Sequence, residues 1–302
     1  MARKILVDCM GLKKGERVLV VTDTEKKEIG EILFQEAVKL GDAMLIVMKP
    51  TGRHGAEPPK EVAYAMEKFD VVLCPTLYSL THTKARKRAC DKGARIATMP
   101  GITKDMFLRA IDVDYKKMEK RGKSIAKALE KKEIKVRTAS GTDIKFFIDP
   151  KHIYLDLGLY HEPGDYGNLP AGEVFAPIVY RSGDGIIVID HMGDICKPKT
   201  KVSVRNGVVQ EVVGDDAFKK RMWSLKGARY LGEFGIGIND KAVISGNILE
   251  DEKVFGTCHI AFGSNFDFGG RIKGEVHWDA ILMRPTIYVG KEKIMDEGVL
   301  LV

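Results

Sequence analysis

The chain has 302 residues, of which 44% are hydrophobic, and 49 Lys+Arg against 42 Asp+Glu give it a formal net charge of +7. That length supports one large domain or two ordinary domains, each with its own core. The lysine-rich stretch from Tyr115 to Lys135 has one aromatic residue, so it is typical of a solvated helix face rather than a nucleic-acid groove. No apolar run approaches the length needed to span a bilayer, so we expect no membrane partner.

The cysteines indicate a reducing compartment. Their number is odd and none forms a CxxC pair; they are Cys9, Cys74, Cys90, Cys196 and Cys258. Unpaired thiols are typical of proteins that remain inside the cell. The N-terminal segment shows no signal-peptide pattern, because charges interrupt its short apolar run. We therefore expect a cytoplasmic protein.

The first third of the chain alternates between apolar strands and amphipathic helices. The first pair is the strand Arg17 to Asp23 and the helix Lys27 to Gly41, in which Gly41 is the C-terminal stop signal. Further strands are predicted at 43–49, 71–75 and 95–99, with helices at 61–68 and 82–92. This order predicts a Rossmann-like α/β domain with a mostly parallel sheet over residues 1–125. No glycine-rich dinucleotide loop follows the first strand.

The pattern changes after a long lysine-rich helix predicted at 114–133. A hairpin at 133–149 turns at "SGTD", and further strand sequence is predicted at 201–213. Single strands are predicted at 172–178, 185–190, 241–245 and 286–290, and one clear helix at 215–226. This order predicts an α+β catalytic domain with mainly antiparallel strands over residues 126–302.

Several residues in the second half have the chemistry of metal ligands. His277 and Asp279 are two apart in "VHWDA", so on a strand both point to the same face and can reach one Zn, Co, Mn or Fe ion. Glu173 and Glu233 each sit beside glycine in an apolar segment, where a carboxylate is seldom buried unless it is paired or metal-bound. With His259 from "CHIAFG", these residues match a two-metal hydrolytic site with a bridging water.

Four segments, "NLPAGEVFAP", "YLGEFGIGIN", "GTCHIAFG" and "VHWDA", resemble the metal-ligand motifs of the thermophilic metallo-aminopeptidase family, the leucyl aminopeptidase-like proteins that include aminopeptidases T and S. The resemblance implies a cytoplasmic, homodimeric hydrolase that removes N-terminal amino acids from peptides with two zinc, cobalt or manganese ions. The metal ligands it implies are Glu173, Glu233, His259, His277 and Asp279. Glu173 or Glu233 would also be the catalytic base.

One position departs from that family. Phe266 stands where the family's catalytic tyrosine lies, seven residues after the motif histidine, and a phenyl ring cannot donate a hydrogen bond to a developing oxyanion. Tyr160, Tyr166 or Asn265 could replace the missing donor. A metalloprotein that has lost hydrolysis and binds a ligand or partner is a further alternative.

A second resemblance leads to the alternative function. "SLTHTKARKRACDKGARI" is similar to the corresponding segment of 2,5-dihydroxypyridine dioxygenases, iron(II) enzymes that share the aminopeptidase fold. It implies a ring-cleaving dioxygenase acting on hydroxylated pyridine-like or aromatic rings, with one Fe(II) held by His259, His277 and Asp279. Candidate contacts to a peptide or small-molecule substrate are His82, His161 and Asn265.

Overall fold

The computed structural model describes residues 1–302. Its contacts group the chain into two units, hereafter the first unit (Met1–Tyr115 with Gly158–Ala171) and the second unit (Lys116–Leu157 with Gly172–Val302). Grouping by contacts does not test independent folding, so the predicted domain division at residues 125 and 126 stays a prediction. None of the helices is both long and apolar enough to cross a membrane.

Helices and strands alternate through the first part of the chain, and strands predominate after it. In chain order, the helices are α1 Ala2–Lys4, which continues as a π-helix at Ile5–Cys9, α2 Lys27–Leu40, α3 Lys60–Met66, α4 Lys84–Asp91, α5 Lys104–Arg109, α6 Tyr115–Leu129, α7 Asp216–Ser224, α8 Ile248–Asp251, and a 3-10 helix at Phe266–Phe268. The strands are β1 Arg17–Asp23, β2 Asp42–Met48, β3 Val71–Cys74, β4 Arg95–Thr98, β5 Glu133–Arg137, β6 Asp143–Phe147, β7 Tyr154–Asp156, β8 Tyr166–Asn168, β9 Glu173–Pro177, β10 Asp184–Ile189, β11 Thr200–Arg205, β12 Val208–Val213, β13 Leu231–Gly237, β14 Thr257–Gly263, β15 His277–Met283, β16 Thr286–Val289, β17 Glu292–Asp296 and β18 Val299–Leu300.

The first unit is built on a five-stranded sheet of order β2-β1-β3-β4-β8, in which every pair is parallel. β1 is buried along its length except at Arg17, as expected for a parallel strand covered on both faces. At its carboxyl end the buried Asp23 accepts hydrogen bonds from the backbone N–H groups of Glu25, Lys26 and Leu77. This carboxylate thus fixes the loops at the carboxyl edge of the sheet.

The second unit contains two antiparallel sheets. One has eight strands in the order β12-β11-β10-β6-β5-β16-β17-β18, and the other has five in the order β15-β14-β13-β9-β7. In their strands, alternate residues face inward and form the core, such as Ile134 and Val136 in β5. The predicted fold class, a mostly parallel α/β part followed by a mainly antiparallel α+β part, is therefore confirmed.

One predicted strand is wrong. Residues 241–245 form irregular backbone instead of a strand. The N–H groups of Val243 and Ser245 are taken by the carboxylates of Glu250 and Asp251 in α8, at 2.9 and 2.7 Å. Side-chain acceptors here replace the partner strand that an apolar "AVI" run would otherwise need.

Helix α2 packs on β1 through a glycine. A Cβ added at Gly30 would lie 2.7 Å from Thr22 Cγ2 and 2.8 Å from Thr22 Cβ. Alanine normally stabilises a helix interior by about 1 kcal/mol relative to glycine. Here the clash decides the outcome, because the β-branched Thr22 is buried and cannot move aside.

We expect Gly30→Ala to lower the free energy of unfolding by about 1–3 kcal/mol, the usual cost of overpacking a core. Gln35→Ala, at an exposed position of the same helix, should change it by less than about 0.5 kcal/mol. Urea denaturation of both variants gives the comparison. A Gly30→Ala protein as stable as wild type would show that the α2–β1 contact is looser than described.

Candidate metal centre

Four adjacent strands of the antiparallel five-stranded sheet, β9, β13, β14 and β15, bring the predicted ligands together. Across β13 and its neighbours, Gly237 pairs with Glu173 of β9 and Gly235 pairs with His259 of β14. Across β14 and β15, Ala261 pairs with Asp279 and Gly263 with His277. Residues paired directly across, and residues two apart on one strand, share a face. Glu173, Glu233, His259, His277 and Asp279 therefore project from the same face of this sheet.

Gly235, in the segment "GEFGIG", makes room for the His259 imidazole. A Cβ on Gly235 would lie 2.1 Å from His259 Nε2 and 2.2 Å from its Cε1. The ring therefore lies directly over the Gly235 backbone, where no larger residue fits. A glycine at this strand position therefore permits the close approach of the ring to the β13 backbone.

Glu233 links the two imidazoles. Its Oε1 lies 3.2 Å from His259 Nε2 and its Oε2 lies 3.8 Å from His277 Nε2. Glu173 Oε2 lies 3.3 Å from His259 Nε2, and Asp279 Oδ1 lies 3.2 Å from His277 Nε2. The five residues thus form two groups that share Glu233, each with its ligand atoms within 4.8 Å of one another: Glu173, Glu233 and His259, and Glu233, His277 and Asp279.

The orientation of His277 suits metal binding. Its Nδ1 donates a hydrogen bond to the backbone carbonyl of Ser264 at 2.7 Å, which directs the Nε2 lone pair toward the carboxylates. A histidine ligand usually has its second nitrogen held by a carbonyl or carboxylate in this way. His259 is fully buried, with its Nε2 also facing the carboxylates.

Three of the clustered residues have a buried polar atom without a hydrogen bond. Glu173 Oε2 and Asp279 Oδ1 accept none, and His259 Nδ1 makes none. Such atoms are uncommon in native proteins and need an explanation, of which a bound ion is one. Oxygen and imidazole nitrogen atoms of this kind are suitable ligands for a divalent transition metal.

The charges of the site are strongly coupled. Burial lowers the pKa of His259, but the hydrogen bond with Glu233 and the charges of Glu173 and Asp279 outweigh it and raise that pKa to about 9. Burial likewise opposes the charged form of His277, yet Asp279 holds its pKa well above 6.5. In the metal-free protein the carboxylates therefore retain protons on imidazoles that a metal ion would displace.

Sequence reasoning missed one ionised residue of this cluster. Lys253 is completely buried, and its Nζ lies 2.5 Å from Glu173 Oε1 and 2.6 Å from Glu252 Oε1. The run "EDEK" predicts a solvated charged turn, because charge runs usually face water. Only the tertiary fold shows that this lysine is enclosed, and no signal in the local sequence distinguishes it.

Aromatic side chains border the cluster. Phe268 makes an edge contact with the His277 ring, with centroids 5.8 Å apart, and similar contacts with Phe175 and Tyr154. Tyr154 and Phe175 are stacked at 5.3 Å. These rings give the surroundings of His277 an apolar, planar character that suits an aromatic molecule.

The other predicted site residues have different surroundings. The Asn265 amide is buried, donating to the Gly232 carbonyl and accepting from the Ile272 N–H, so both of its ends are engaged in the loop. His82 is exposed in the first unit just before α4. His161, also exposed there, donates from Nε2 to the Asp8 carbonyl at 2.8 Å. Their roles as substrate contacts stay predictions, as does the catalytic role of Glu173 and Glu233.

The proposed replacements for the family tyrosine are engaged elsewhere. Phe266 itself is 50% exposed, with Lys273 Nζ 4.0 Å above its ring. The Tyr160 hydroxyl donates to the Asn168 carbonyl, and the Arg86 guanidinium covers the Tyr166 ring at 3.6 Å. Whether either tyrosine replaces the missing donor stays a prediction.

We expect Gly235→Ala to weaken divalent-metal binding by about 10–100-fold, the range seen when the support of a ligand is disturbed. The added methyl group has to displace the His259 ring. Ile236→Val is the control: it lies on the opposite face of β13 and costs about 0.5–1.5 kcal/mol of stability without touching the cluster. Cobalt(II) titration measures both, and wild-type affinity in Gly235→Ala would contradict the geometry.

The metal-free protein should lose stability as pH rises. The His259 pKa is about 9 in the folded protein against 6.5 ordinarily, so its stabilisation is complete below pH 6.5 and disappears as pH passes 9. The loss should be about 3 kcal/mol in denaturation experiments. Metal-saturated protein should lack this dependence, because the ion has replaced the proton; a pH-independent metal-free protein would refute the coupling.

The chain is similar to known proteins along its whole length. A family model described as NicX, 2,5-dihydroxypyridine 5,6-dioxygenase, matches residues 2–302. Among solved structures, the chain is similar to a 2,5-dihydroxypyridine dioxygenase from Pseudomonas putida KT2440, with a TM-score of 0.82 and 15% identity over 100% of this chain and 96% of that one. It is also similar to wild-type AmpT, an aminopeptidase T, from Thermus thermophilus, with a TM-score of 0.72 and 16% identity over 100% and 98%. No curated protein matches it.

These findings correct the main functional interpretation. The expected aminopeptidase, with its classification as a hydrolase and metalloprotease, is wrong, because the family model over nearly the whole chain is that of a dioxygenase. The likeness to AmpT shows a shared fold. Phe266 agrees with this correction, because its phenyl ring cannot donate the hydrogen bond that the aminopeptidase resemblance assigns to a tyrosine hydroxyl. The chain is thus an enzyme with a metal cofactor, and it belongs to the 2,5-dihydroxypyridine 5,6-dioxygenase family.

Proposed function

We propose that this protein is an iron(II)-dependent dioxygenase that opens a hydroxylated pyridine ring, or a closely related aromatic ring, by adding both atoms of molecular oxygen to it. One observation carries the proposal: His259, His277 and Asp279 project from one sheet face, where Glu233 contacts both imidazoles, in a chain that matches the dioxygenase family over residues 2–302. An enzyme that acts on such a ring with molecular oxygen needs no groups that bind a peptide.

The residues present fit iron(II). His259, His277 and Asp279 would hold it, because two histidines and one carboxylate are the set that non-haem iron oxygenases use while leaving positions open. The buried position of Asp279, whose Oδ1 lies 3.2 Å from His277 Nε2, supports this assignment. When bound, iron supplies the one-electron chemistry that lets oxygen react with a closed-shell ring.

The protein's own groups prepare that site. Glu233 contacts both imidazoles and so holds their rings in place, and Ser264 fixes the proton of His277 on Nδ1. Phe268 packs edge-on against the His277 ring, and Phe175 packs in turn against Phe268, so apolar rings border the site on which a planar aromatic substrate would lie. The small-molecule substrate and the homodimer expected from the sequence stay predictions.

The test is oxygen uptake by ferrous-loaded protein with 2,5-dihydroxypyridine and a panel of hydroxylated pyridines and catechol-like rings. We expect stoichiometric uptake with at least one ring. His277→Ala should lower the rate by at least about 100-fold, because loss of a ligand exceeds the 10–100-fold effect of disturbing its support. His191→Gln, at a histidine of the same unit outside the cluster, should retain activity.

Absence of uptake across this panel, with iron shown to be bound, would remove the proposed function. Equal rates in His277→Ala and wild type would instead place the chemistry elsewhere in the molecule.

A further inference from the structure

Asn265 is a buried side chain in the loop after β14, and it binds two backbone groups that are distant from each other in the chain. It is 1% exposed. Its Nδ2 donates to the Gly232 carbonyl at 2.8 Å, and its Oδ1 accepts from the Ile272 N–H at 2.9 Å. A buried amide whose donor and acceptor ends are both bound by backbone groups is typical of a residue that holds segments together.

The donor end of this amide holds a β-bulge beside the metal cluster. The register between β13 and β14 shifts between Leu231 and Glu233, so Gly232 is the extra residue of the bulge. A bulge redirects the side chains next to it and is common beside active sites. The Gly232 carbonyl also accepts from the Ile178 N–H, at 2.9 Å. Asn265 therefore helps to fix the backbone immediately before Glu233, the carboxylate that contacts both imidazoles.

The acceptor end closes the loop that orients His277. Besides the bond from Ile272 to its side chain, the Asn265 N–H donates to the Ile272 carbonyl at 3.1 Å. The Ser264 hydroxyl donates to the same carbonyl at 3.1 Å. The Ser264 carbonyl in turn accepts from His277 Nδ1 at 2.7 Å. The base of the loop is thus joined next to the carbonyl that sets the direction of His277 Nε2.

The loop backbone packs directly on the amide of Asn265. A Cβ added at Gly270 would lie 2.0 Å from both Asn265 Cγ and Asn265 Oδ1. The Gly270 N–H also donates to the Asn265 carbonyl, at 2.9 Å. The amide therefore has no room to rotate, and its two ends keep their partners.

We propose that Asn265 is a positioning residue of the metal centre, because one buried amide fixes both the bulge that directs Glu233 and the loop that orients His277. The inference rests on the metal site of the proposed function and adds the group that couples its two sides. Asn265 acts through Glu233 and His277, and it contacts neither the ion nor the substrate. Without the amide, the carboxylate and the imidazole would move independently of each other.

The experiment is cobalt(II) titration of the metal-free protein, with the visible absorption spectrum of the bound ion as the measure of ligand geometry. Asn265→Ala removes both side-chain hydrogen bonds. It should weaken cobalt binding by about 10–100-fold, the range seen when the support of a ligand is disturbed, and it should change the spectrum.

Thr142→Ala is the matched control. Thr142 is 2% exposed, and its hydroxyl also has both a donor and an acceptor role, because it donates to the Val188 carbonyl and accepts from the Val188 N–H. Val188 lies in β10 of the eight-stranded sheet, outside the metal cluster. Thr142→Ala should lower the urea midpoint, as Asn265→Ala does, yet keep the cobalt affinity and spectrum of wild type.

Unchanged cobalt affinity and spectrum in Asn265→Ala would overturn the proposal. Equal weakening in Thr142→Ala would also overturn it, because the effect would then follow stability alone. If Asn265→Ala does not fold, Asn265→Leu decides. Leucine is close to asparagine in shape but makes neither hydrogen bond, so the same fall in affinity is expected, and wild-type affinity would end the proposal.

These outcomes are independent of turnover. Weakened cobalt binding in Asn265→Ala, in a protein that takes up no oxygen with any ring, would keep this inference and remove the dioxygenase. Oxygen uptake by wild type, together with wild-type cobalt binding in Asn265→Ala, would do the reverse. A raised KM for the ring with unaltered cobalt binding would make Asn265 a substrate contact and refute the positioning role.

Discussion

The second unit depends on a single constraint: charged side chains buried on one sheet face must neutralise one another. Glu173, Glu233 and Asp279 are at most 7% exposed, and His259 is fully buried. Charges in such surroundings are tolerated only when they are paired or bind a metal. The close approach at Gly235, the bridging position of Glu233 and the enclosed Lys253 all satisfy that requirement. Removing any one partner leaves an uncompensated charge, so geometry and stability are linked here.

Much of the fold follows from local patterns in the sequence. Strand β1 and helix α2 were predictable because an apolar run and a helical spacing of apolar residues are unambiguous over seven and fourteen residues. β8 is three residues long and carries no such pattern, so its place at the edge of the parallel sheet came only from tertiary contacts. The strand predicted at 241–245 was wrong for a similar reason: the carboxylates in α8 that accept hydrogen bonds from its N–H groups could not be recognised from the local sequence.

The candidate site was predicted more fully than its chemistry. The five clustered residues were identified because four ordered segments resemble one family's motifs, and the structure brings them together. The same residues serve a fold shared by a dioxygenase and an aminopeptidase, so their presence could not separate hydrolysis from oxygenation. Phe266 was the residue that separated the two reactions. The ligands determine only whether a metal binds, whereas the missing hydroxyl affects the mechanism of hydrolysis. Lys253 could not be found, since only burial distinguishes it from a surface lysine.

The central claim is that oxygen, not water, supplies the atoms added to the substrate. Turnover of a hydroxylated pyridine under oxygen-18 gas, followed by mass spectrometry of the product, tests it most directly. The account predicts that both added oxygen atoms carry the label from the gas. Label that enters only from oxygen-18 water would show a hydrolytic reaction and contradict it.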